Sequence, residues 1–383
     1  MAAAAMNGLC DATPAGCARL FLCGDVMTGR GIDQILPHPG DPRLFEPVCR
    51  SARDYVRLAE RESGPLPFPR DDAYPWGDAF AVLERVQPHA RIINLETAVT
   101  ASDARWPDKT VLYRMHPDNV GCLLRARIDC CVLANNHTMD WGRAGLDETL
   151  ATLVRAGIRP AGAGRDAAEA TAAAVVECAS GVRVRIDAYA SASAGVPDAW
   201  AARGTRGGVN VLPDLSPARA DAIGGRLAQA RRATGDVNVV SLHWGGNWGY
   251  AASADERAFA HRLIDTGGVD IVYGHSSHHV RGIERYRGRV ILYGCGDFLN
   301  DYEGIAGYRA YRPDLALMYF PLVDTAGGAL CDLFMAPMQV RRLSVRHAPD
   351  DGVAWLADVL ERESAVFGTH VHVTAAGMLA LRD

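Results

Sequence analysis

The sequence predicts an α/β protein, because short apolar runs typical of strands alternate with amphipathic segments typical of helices. Hydrophobic residues make up 49% of the 383 residues and charged residues 22%, which is enough apolar content for a large core. Most of the apolar runs are continuous rather than alternating, a pattern that favours strands covered on both faces. These observations predict an α/β core of buried strands connected by helices.

Six predicted strands are four to six residues long, and each ends abruptly in a polar cluster. In chain order they are residues 20–23, 90–93, 130–133, 237–242, 269–273 and 290–293. Helical patterns lie between several of them, at residues 147–156, 218–233 and 254–266. Ligands of α/β proteins collect beyond the carboxyl ends of the strands, so we expect the polar clusters to mark one functional edge.

The organisation of the chain favours one domain over several. Residues 1–18 are predicted to form a flexible N-terminal tail, and residues 19–383 a single domain with a C-terminal helical extension. The extension, from residue 343 onward, follows the last predicted strand and includes an amphipathic helix over residues 355–367. Residues 34–77 are rich in proline and charge, which predicts a long excursion over the surface.

Net charge and residue usage argue against several classes of protein. The net charge of −5 leaves no basic footprint for nucleic acid and no polybasic patch for a membrane surface. No apolar stretch approaches the roughly 20 residues that cross a bilayer, and the start of the sequence lacks the pattern of a signal peptide. The ten cysteines include no Cys-x-x-Cys pair, which argues against a zinc ribbon and fits a reducing compartment. We therefore expect a cytoplasmic protein without nucleic-acid or membrane partners, and the oligomeric state, homo-oligomer included, stays open.

Lysine is almost absent from the chain. Lys109 is the one lysine among 40 basic residues, and all the others are arginines. A P-loop needs a lysine that follows glycine, but Lys109 follows Pro107-Asp108, which excludes phosphate binding of that kind. Positive charge for an anionic substrate must therefore come mainly from metal ions and arginines.

The polar clusters carry the ligand types of divalent transition metals. Carboxylate, carboxamide and imidazole groups bind ions such as Mn²⁺, Fe²⁺ and Zn²⁺. Two such ions about 3.5–4 Å apart can clamp an in-line displacement at phosphorus, and a nearby histidine can protonate the leaving oxygen. We expect a metal-dependent hydrolase that holds two divalent ions (Mn, Fe or Zn) and acts on a small anionic substrate. The candidate residues are Asp25, Glu96, Asn136, His137, His243, His275 and His278.

Five motifs follow one another along residues 19–345. They are Gly24-Asp25-Val26-Met27, Asn94-Leu95-Glu96, the block at residues 134–142, His243-Trp244-Gly245 and Gly274-His275-Ser276-Ser277-His278. In this set and order the sequence resembles the CapA-type proteins, bacterial poly-γ-glutamate capsule synthesis proteins that are related to the calcineurin-like metallophosphoesterases. The resemblance implies a four-layer α/β/β/α sandwich of metallophosphoesterase type with a dinuclear metal centre between its two sheets.

The resemblance also implies a role for each motif residue. His137 matches the acid that protonates the leaving group. Met27 stands where metallophosphoesterases usually carry a histidine, so one metal loses an imidazole ligand. Two residues rather than one separate the histidines of the last motif, which leaves His278 and His279 as alternatives, with His278 preferred. The implied metal ligands are Asp25, Glu96 as the bridging carboxylate, Asn136, His243, His275 and His278.

Other residues near the motifs have two interpretations each. Asp140 is a candidate catalytic partner that orients the His137 imidazole, or else it caps the helix that follows. Arg30 and Arg143 are candidate substrate-binding residues, because arginine suits carboxylate or phosphate, and their alternative is solvated surface. Asp297, in Gly-Cys-Gly-Asp-Phe, is expected to be structural although it follows the sixth predicted strand.

The sequence alone is compatible with three functional hypotheses. The leading one is hydrolysis of a phosphate ester or anhydride with the help of the two metal ions. The alternative is a poly-γ-glutamate or capsule biosynthesis factor, the role to which the family resemblance points. The third keeps the metals but acts on an amide or γ-glutamyl linkage in a small metabolite.

Overall fold

The computed structural model describes residues 13–67, 71–232, 235–305 and 307–382. Within these ranges the α-helices are α1 (Arg30–Ile35), α2 (Ala52–Ser63), α3 (Ala79–Val86), α4 (Gly121–Arg125), α5 (Gly142–Arg155), α6 (Ala167–Thr171), α7 (Pro217–Ala230), α8 (Ala254–Asp265) and α9 (Asp350–Ala365). The strands are β1 (Cys17–Cys23), β2 (Asp25–Val26), β3 (Ala90–Leu95), β4 (Ala98–Val99), β5 (Arg114–Met115), β6 (Cys130–Val132), β7 (Arg159–Ala161), β8 (Ala163–Gly164), β9 (Ala174–Glu177), β10 (Arg183–Ser191), β11 (Gly208–Val209), β12 (Val211–Leu212), β13 (Asp236–His243), β14 (Ile271–His275), β15 (Ile283–Tyr286), β16 (Arg289–Leu292), β17 (Asp297–Leu299), β18 (Leu315–Asp324), β19 (Leu330–Val340), β20 (Val345–His347), β21 (Val371–Val373) and β22 (Leu379–Leu381).

The first sheet joins N-terminal parallel strands to C-terminal antiparallel strands. Its strand order is β17-β2-β3-β1-β18-β19-β22-β21, and β6 pairs with β3, β7 with β6, and β20 with β19. The strands β1, β2, β3, β6 and β7 are parallel to their partners in this group. Their carboxyl ends therefore lie at one edge of the first sheet.

The second sheet has the order β12-β10-β13-β14-β16-β15, with β9 beside β10. The neighbours β10, β13, β14 and β16 run parallel, and His243 at the end of β13 is in register with His275 at the end of β14. The remaining strands form two small sheets, β4 with β5 and β8 with β11.

The apolar core occupies both faces of the second sheet. The largest buried cluster contains Val239 and Tyr273 from the second sheet together with Leu20 from the first. Alternate residues of the same strands, such as Val240 and Leu242, belong to another cluster with residues of α7 and α8. The Tyr273 hydroxyl also donates a hydrogen bond to the backbone carbonyl of Cys23 in the first sheet. Strands covered on both faces explain the continuous apolar runs in the sequence.

The structure confirms the α/β class and the presence of the predicted elements. Each of the six predicted strands overlaps an observed one, namely β1, β3, β6, β13, β14 and β16. The predicted helices correspond to α5, α7, α8 and α9. Among the described residues, no helix combines the length and apolarity that a membrane crossing requires.

Three expectations about the ends and the excursion need correction or stay open. The C-terminal extension is not only helical, because β20, β21 and β22 join the first sheet around β19. The excursion at 34–77 carries α2 and buries Tyr55 and Trp76 among its described residues, so it is not only a surface segment. Residues 1–12 of the predicted tail lie outside the described residues, and β1 already begins at Cys17.

Candidate metal centre

Polar side chains from both sheets meet where their parallel strands end. Asp25 in β2 contacts His275 at the end of β14, with 2.7 Å between Oδ1 and Nδ1. Asn136, which follows β6, lies opposite His243 at the end of β13, with 3.1 Å between Oδ1 and Nε2. The two sheets thus contribute jointly to one site, as expected for ligands at the carboxyl ends of strands.

Asp297 adds a third carboxylate to the first-sheet side of the site. Oxygens of Asp25, Glu96 and Asp297 lie within 4.8 Å of one another, and all three side chains are buried. The parallel pairing of β17 with β2 places Asp297 beside Asp25. Gly24 makes this approach feasible, because a Cβ there would lie 2.1 Å from the Gly296 carbonyl oxygen. Asp297 therefore belongs to the site, where the sequence suggested only a structural residue.

The buried carboxylates have opposed pKa shifts. Burial and then the negative charges of Asp25 and Asp297 raise the pKa of Glu96 well above its ordinary range. Burial also raises the pKa of Asp297, although the neighbouring His278 partly offsets this. For Asp25, burial acts in the same direction, but the charge and hydrogen bond of His275 outweigh it and lower the pKa to about 2. Three buried carboxylates in contact need a proton or a cation between them.

Two histidines of the site have buried nitrogen atoms without hydrogen-bond partners. They are His243 at Nδ1 and His275 at Nε2. Burial lowers the pKa of His243 to about 3, so its imidazole is neutral and has a free lone pair. His243 Nε2 also lies 4.0 Å from Glu96 Oε1. Imidazoles with an unpartnered nitrogen, in a site that also holds carboxylate and amide oxygens, fit the donor set of Mn²⁺, Fe²⁺ or Zn²⁺.

The surroundings of His278 and His279 differ. His278 faces the acidic cluster, with Nδ1 3.0 Å from Asp297 Oδ1, so a proton on Nδ1 leaves Nε2 free for a ligand. Both nitrogens of His279 are used elsewhere: Nδ1 lies 3.0 Å from the Val280 carbonyl oxygen, and Nε2 accepts from the Gly249 amide at 3.1 Å. The geometry therefore favours His278 over His279 as the residue available to the site.

Asn135 explains why the turn after β6 has its shape. Its side-chain amide donates to Asn94 Oδ1 at 3.0 Å and to the Leu95 carbonyl at 2.9 Å. Its Oδ1 accepts from the His137 backbone amide at 3.0 Å. Asn94 in turn donates to Asp25 Oδ1 at 2.8 Å. This buried chain of amides fixes the turn on the carboxyl end of β3, because each buried polar group has a partner.

His137 lies between Asp140 and the acidic cluster. Its Nδ1 is 2.7 Å from Asp140 Oδ2, and its Nε2 is 3.9 Å from Glu96 Oε1. The Tyr113 ring stacks on the imidazole with 3.7 Å between ring centres. Burial lowers the pKa of His137 to about 4, although Asp140 acts against this shift. Asp140 thus orients the imidazole; α5 begins after Trp141 without a side-chain cap.

Lys109 is a site residue that the sequence interpretation did not find. Its ammonium donates to the Asn136 backbone carbonyl and to Asp140 Oδ1, and it lies 3.3 Å from His137 Nδ1. The available signal was that Lys109 is the one lysine of the chain. The loop at 101–113 carries it to the site from outside the strand ends, so strand-end patterns could not reveal it.

The two candidate substrate arginines are placed differently from expectation. Arg30 is 5% exposed and forms ion pairs with Glu46 at 2.9 Å and with Asp301. Its guanidinium is used within the protein, so the structure supports neither a substrate contact nor a solvated surface for Arg30. Arg143 is half-buried and donates to the Gly207 carbonyl at 3.1 Å, and its contact with substrate stays a prediction.

The comparisons with known proteins agree with the motif order. Residues 19–302 match the family described as "Bacterial capsule synthesis protein PGA_cap", and the chain belongs to this family. It is 49% identical, over 354 residues and 92% of each chain, to a probable polyglutamine synthesis accessory protein of Mycobacterium tuberculosis strain H37Rv. It is 26% identical over 309 residues to the PGA biosynthesis protein CapA of Bacillus subtilis strain 168, covering 80% of this chain and 68% of that protein. The capsule biosynthesis protein CapA of Bacillus anthracis is 24% identical over 314 residues, covering 82% of this chain and 66% of that protein.

Proposed function

We propose that this protein is a divalent-metal-dependent hydrolase, with a phosphate ester or anhydride as its substrate. The observation that carries the proposal is the meeting of three buried carboxylates, an amide oxygen and imidazoles from two sheets. Such a set is costly to bury without a cation, since like charges repel more strongly away from water. The proposal includes the finer fold, a four-layer α/β/β/α sandwich of metallophosphoesterase type.

The positions of the donor atoms support the proposed ligand set. When bound, two divalent ions would lower the pKa of a coordinated water and neutralise charge on a phosphoryl group. We assign Mn²⁺, Fe²⁺ or Zn²⁺ to the site because oxygen and imidazole donors are mixed. The residues that would hold the ions are Asp25, Glu96, Asn136, His243, His275 and His278, with Asp297 added from the structure.

His137 would supply the proton for the leaving oxygen. Asp140 accepts from Nδ1, which directs the other nitrogen, Nε2, toward Glu96 and the acidic cluster. An anionic substrate beside the ring favours the protonated imidazole, because opposite charges raise the pKa of a base. Stacking on Tyr113 restricts rotation of the ring, so the proton would be delivered from one fixed direction.

The names of the relatives favour a second candidate function, in the synthesis of poly-glutamate or a capsule. Those proteins are named for polyglutamine synthesis, PGA biosynthesis and capsule biosynthesis. The same ligand set would also suit hydrolysis of an amide or γ-glutamyl linkage, because a bound metal polarises carbonyl as well as phosphoryl oxygens. The type of bond that the protein cleaves therefore separates phosphate hydrolysis from amide or γ-glutamyl hydrolysis.

A substrate screen with a matched variant tests the proposal. The purified protein, loaded in turn with Mn²⁺, Fe²⁺ and Zn²⁺, is assayed on p-nitrophenyl phosphate, bis(p-nitrophenyl) phosphate and γ-glutamyl-p-nitroanilide. We expect hydrolysis of a phosphate probe, and a loss of about 10²–10⁴ in kcat for His137→Ala with unchanged metal content. Asp221→Asn, in an exposed ion pair on α7, is the control. Cleavage of the γ-glutamyl probe alone would replace the phosphate substrate by an amide, and no cleavage at all would favour the non-hydrolytic role.

A further inference from the structure

Lys109 stands out in composition and in position. All other basic residues of the chain are arginines, so this position is the exception in a chain that otherwise uses guanidinium groups for positive charge. An ammonium is compact and places three donors around one atom, whereas a guanidinium is a wide planar fork. A site with several acceptors close to one point therefore suits an ammonium better than a guanidinium.

The contacts of Lys109 match that description. Its Nζ donates to the Asn136 carbonyl and to Asp140 Oδ1, and it lies 3.3 Å from His137 Nδ1. The side chain is 24% exposed, and Nζ lies 5.1 Å from the centre of the Trp200 ring. The ammonium is therefore held inside the turn that carries Asn136 and His137.

Asp140 is the group through which Lys109 reaches the imidazole. One carboxylate oxygen, Oδ1, accepts from Lys109. The other, Oδ2, accepts from the Tyr113 backbone amide at 2.6 Å and faces His137 Nδ1 at 2.7 Å. Donors on both oxygens fix the plane of the carboxylate. A fixed acceptor at Nδ1 holds the proton there and leaves Nε2 directed to the acidic cluster.

We propose that Lys109 is a positioning residue that holds Asp140 and the Asn136–His137 turn, so that His137 Nε2 faces the metal centre. The expected effect on kcat rests on the proposed function, but the contact between Lys109 and Asp140 does not. Removal of the ammonium leaves Asp140 buried with one oxygen unpaired, and the carboxylate can then rotate away from the imidazole. We expect that arginine will not restore the arrangement, because a planar guanidinium does not place its donors around one atom as an ammonium does.

Kinetics of Lys109 variants test the positioning role. With the phosphate probe that the screen identifies, we expect Lys109→Met and Lys109→Arg to lower kcat, normalised to bound metal, about 10- to 100-fold, with KM unchanged. Added propylamine should restore part of the kcat of Lys109→Ala, which a general loss of folding would not allow. As a control, Arg165→Met removes an exposed cation that precedes α6 and pairs with Glu169, and it should leave kcat unchanged. An unchanged kcat, or a raised KM with unchanged kcat, would overturn the proposal.

A second measurement needs no activity, because Lys109 carries the one side-chain amine of the chain and peptide mass spectrometry separates its label from that of the N-terminal amine. Trinitrobenzenesulfonate is added to the full chain, and modification of Lys109 is followed by peptide mass spectrometry. An ammonium held by a carboxylate reacts slowly, so we expect Asp140→Asn to accelerate labelling and Asp103→Asn, an exposed neighbour on the same loop, to leave it unchanged. Equal rates in wild type and Asp140→Asn would refute the contact. Accelerated labelling in a protein that cleaves no probe would uphold the contact and reject the proposed function.

Discussion

His278 and His279 are neighbours in the chain, yet only one of them faces the acidic cluster. The His278 imidazole faces Asp297, while His279 packs against Tyr250 and Tyr311 with both nitrogens paired. Substitution of either residue removes an imidazole. A difference between the two variants therefore reports the location of the histidine, in the site or in the surrounding packing.

We predict that His278→Ala lowers bound metal, whereas His279→Ala leaves metal binding intact and destabilises the protein by about 1–3 kcal/mol. The first variant removes a free imidazole nitrogen beside Asp297. The second leaves the Gly249 amide and the Val280 carbonyl without partners. Metal content by mass spectrometry and urea denaturation measure the two effects. Loss of metal in His279→Ala alone would reverse the assignment.

The pH dependence of stability carries the signature of the buried His279 imidazole. Burial lowers its pKa from the ordinary 6.5 to about 4 in the folded protein. Between these values the unfolded chain binds a proton that the folded chain does not, so stability falls as the pH falls from 6.5 to about 4. We predict that, in metal-free protein, the free energy of unfolding of wild type decreases relative to that of His279→Gln as the pH falls through this window. Urea midpoints at several pH values measure it, and a constant difference would contradict the prediction.

At the scale of elements, the site depends on how closely β17 approaches the β1–β2 junction. Gly24 and Gly296 touch there, and Asp297 is paired with Asp25 as a result. Ser276, which follows β14, has a φ of +92°, a conformation that a side-chain-bearing residue rarely adopts. Its amide lies 3.3 Å from Asp25 Oδ2, so backbone strain coincides with the contact between the two sheets.

We predict that Gly24→Ala abolishes metal binding or folding, whereas Gly225→Ala is neutral or stabilises the protein by up to about 1 kcal/mol. A Cβ at position 24 would lie 2.1 Å from the Gly296 carbonyl oxygen, and β17 would have to separate from β2. Gly225, within α7, has nothing within 4 Å of an added Cβ. Thermal denaturation and metal analysis compare the two variants. Full metal content and an unchanged Tm in Gly24→Ala would contradict this view of the junction.

The elements that the sequence predicted are those with strong local signals. β13 and β14 are continuous apolar runs with polar ends, and such runs indicate strands without knowledge of their partners. The strands β20, β21 and β22 have three residues each, too few for a periodic pattern. β20 and β22 pair with β19 and β21 pairs with β22, so their positions depend on residues distant in the chain. The contacts of Lys109 and Arg30 also depend on residues distant in the chain, so local sequence patterns could not predict them.

At the scale of the whole molecule, the proposed metal centre lies where the two sheets meet, and it draws its residues from both. The first sheet supplies Asp25, Glu96, Asn136 and Asp297 through its parallel strands and their ends. The second sheet supplies the histidines that follow or end β13 and β14. Each sheet alone holds an incomplete donor set. If the proposed ions bind, ligands shared in this way would couple metal binding to the packing of the sheets, because binding would stabilise only the state in which both are assembled.

Metal stoichiometry tests whether the site between the two sheets binds divalent ions. Purified protein is incubated with Mn²⁺, Fe²⁺ or Zn²⁺, freed of unbound ions, and analysed by inductively coupled plasma mass spectrometry. We predict about two ions per chain, a marked loss in Asp25→Asn and Glu96→Gln, and wild-type content in Asp221→Asn. A folded wild-type protein that retains none of the three metals would show that the site is not a metal centre.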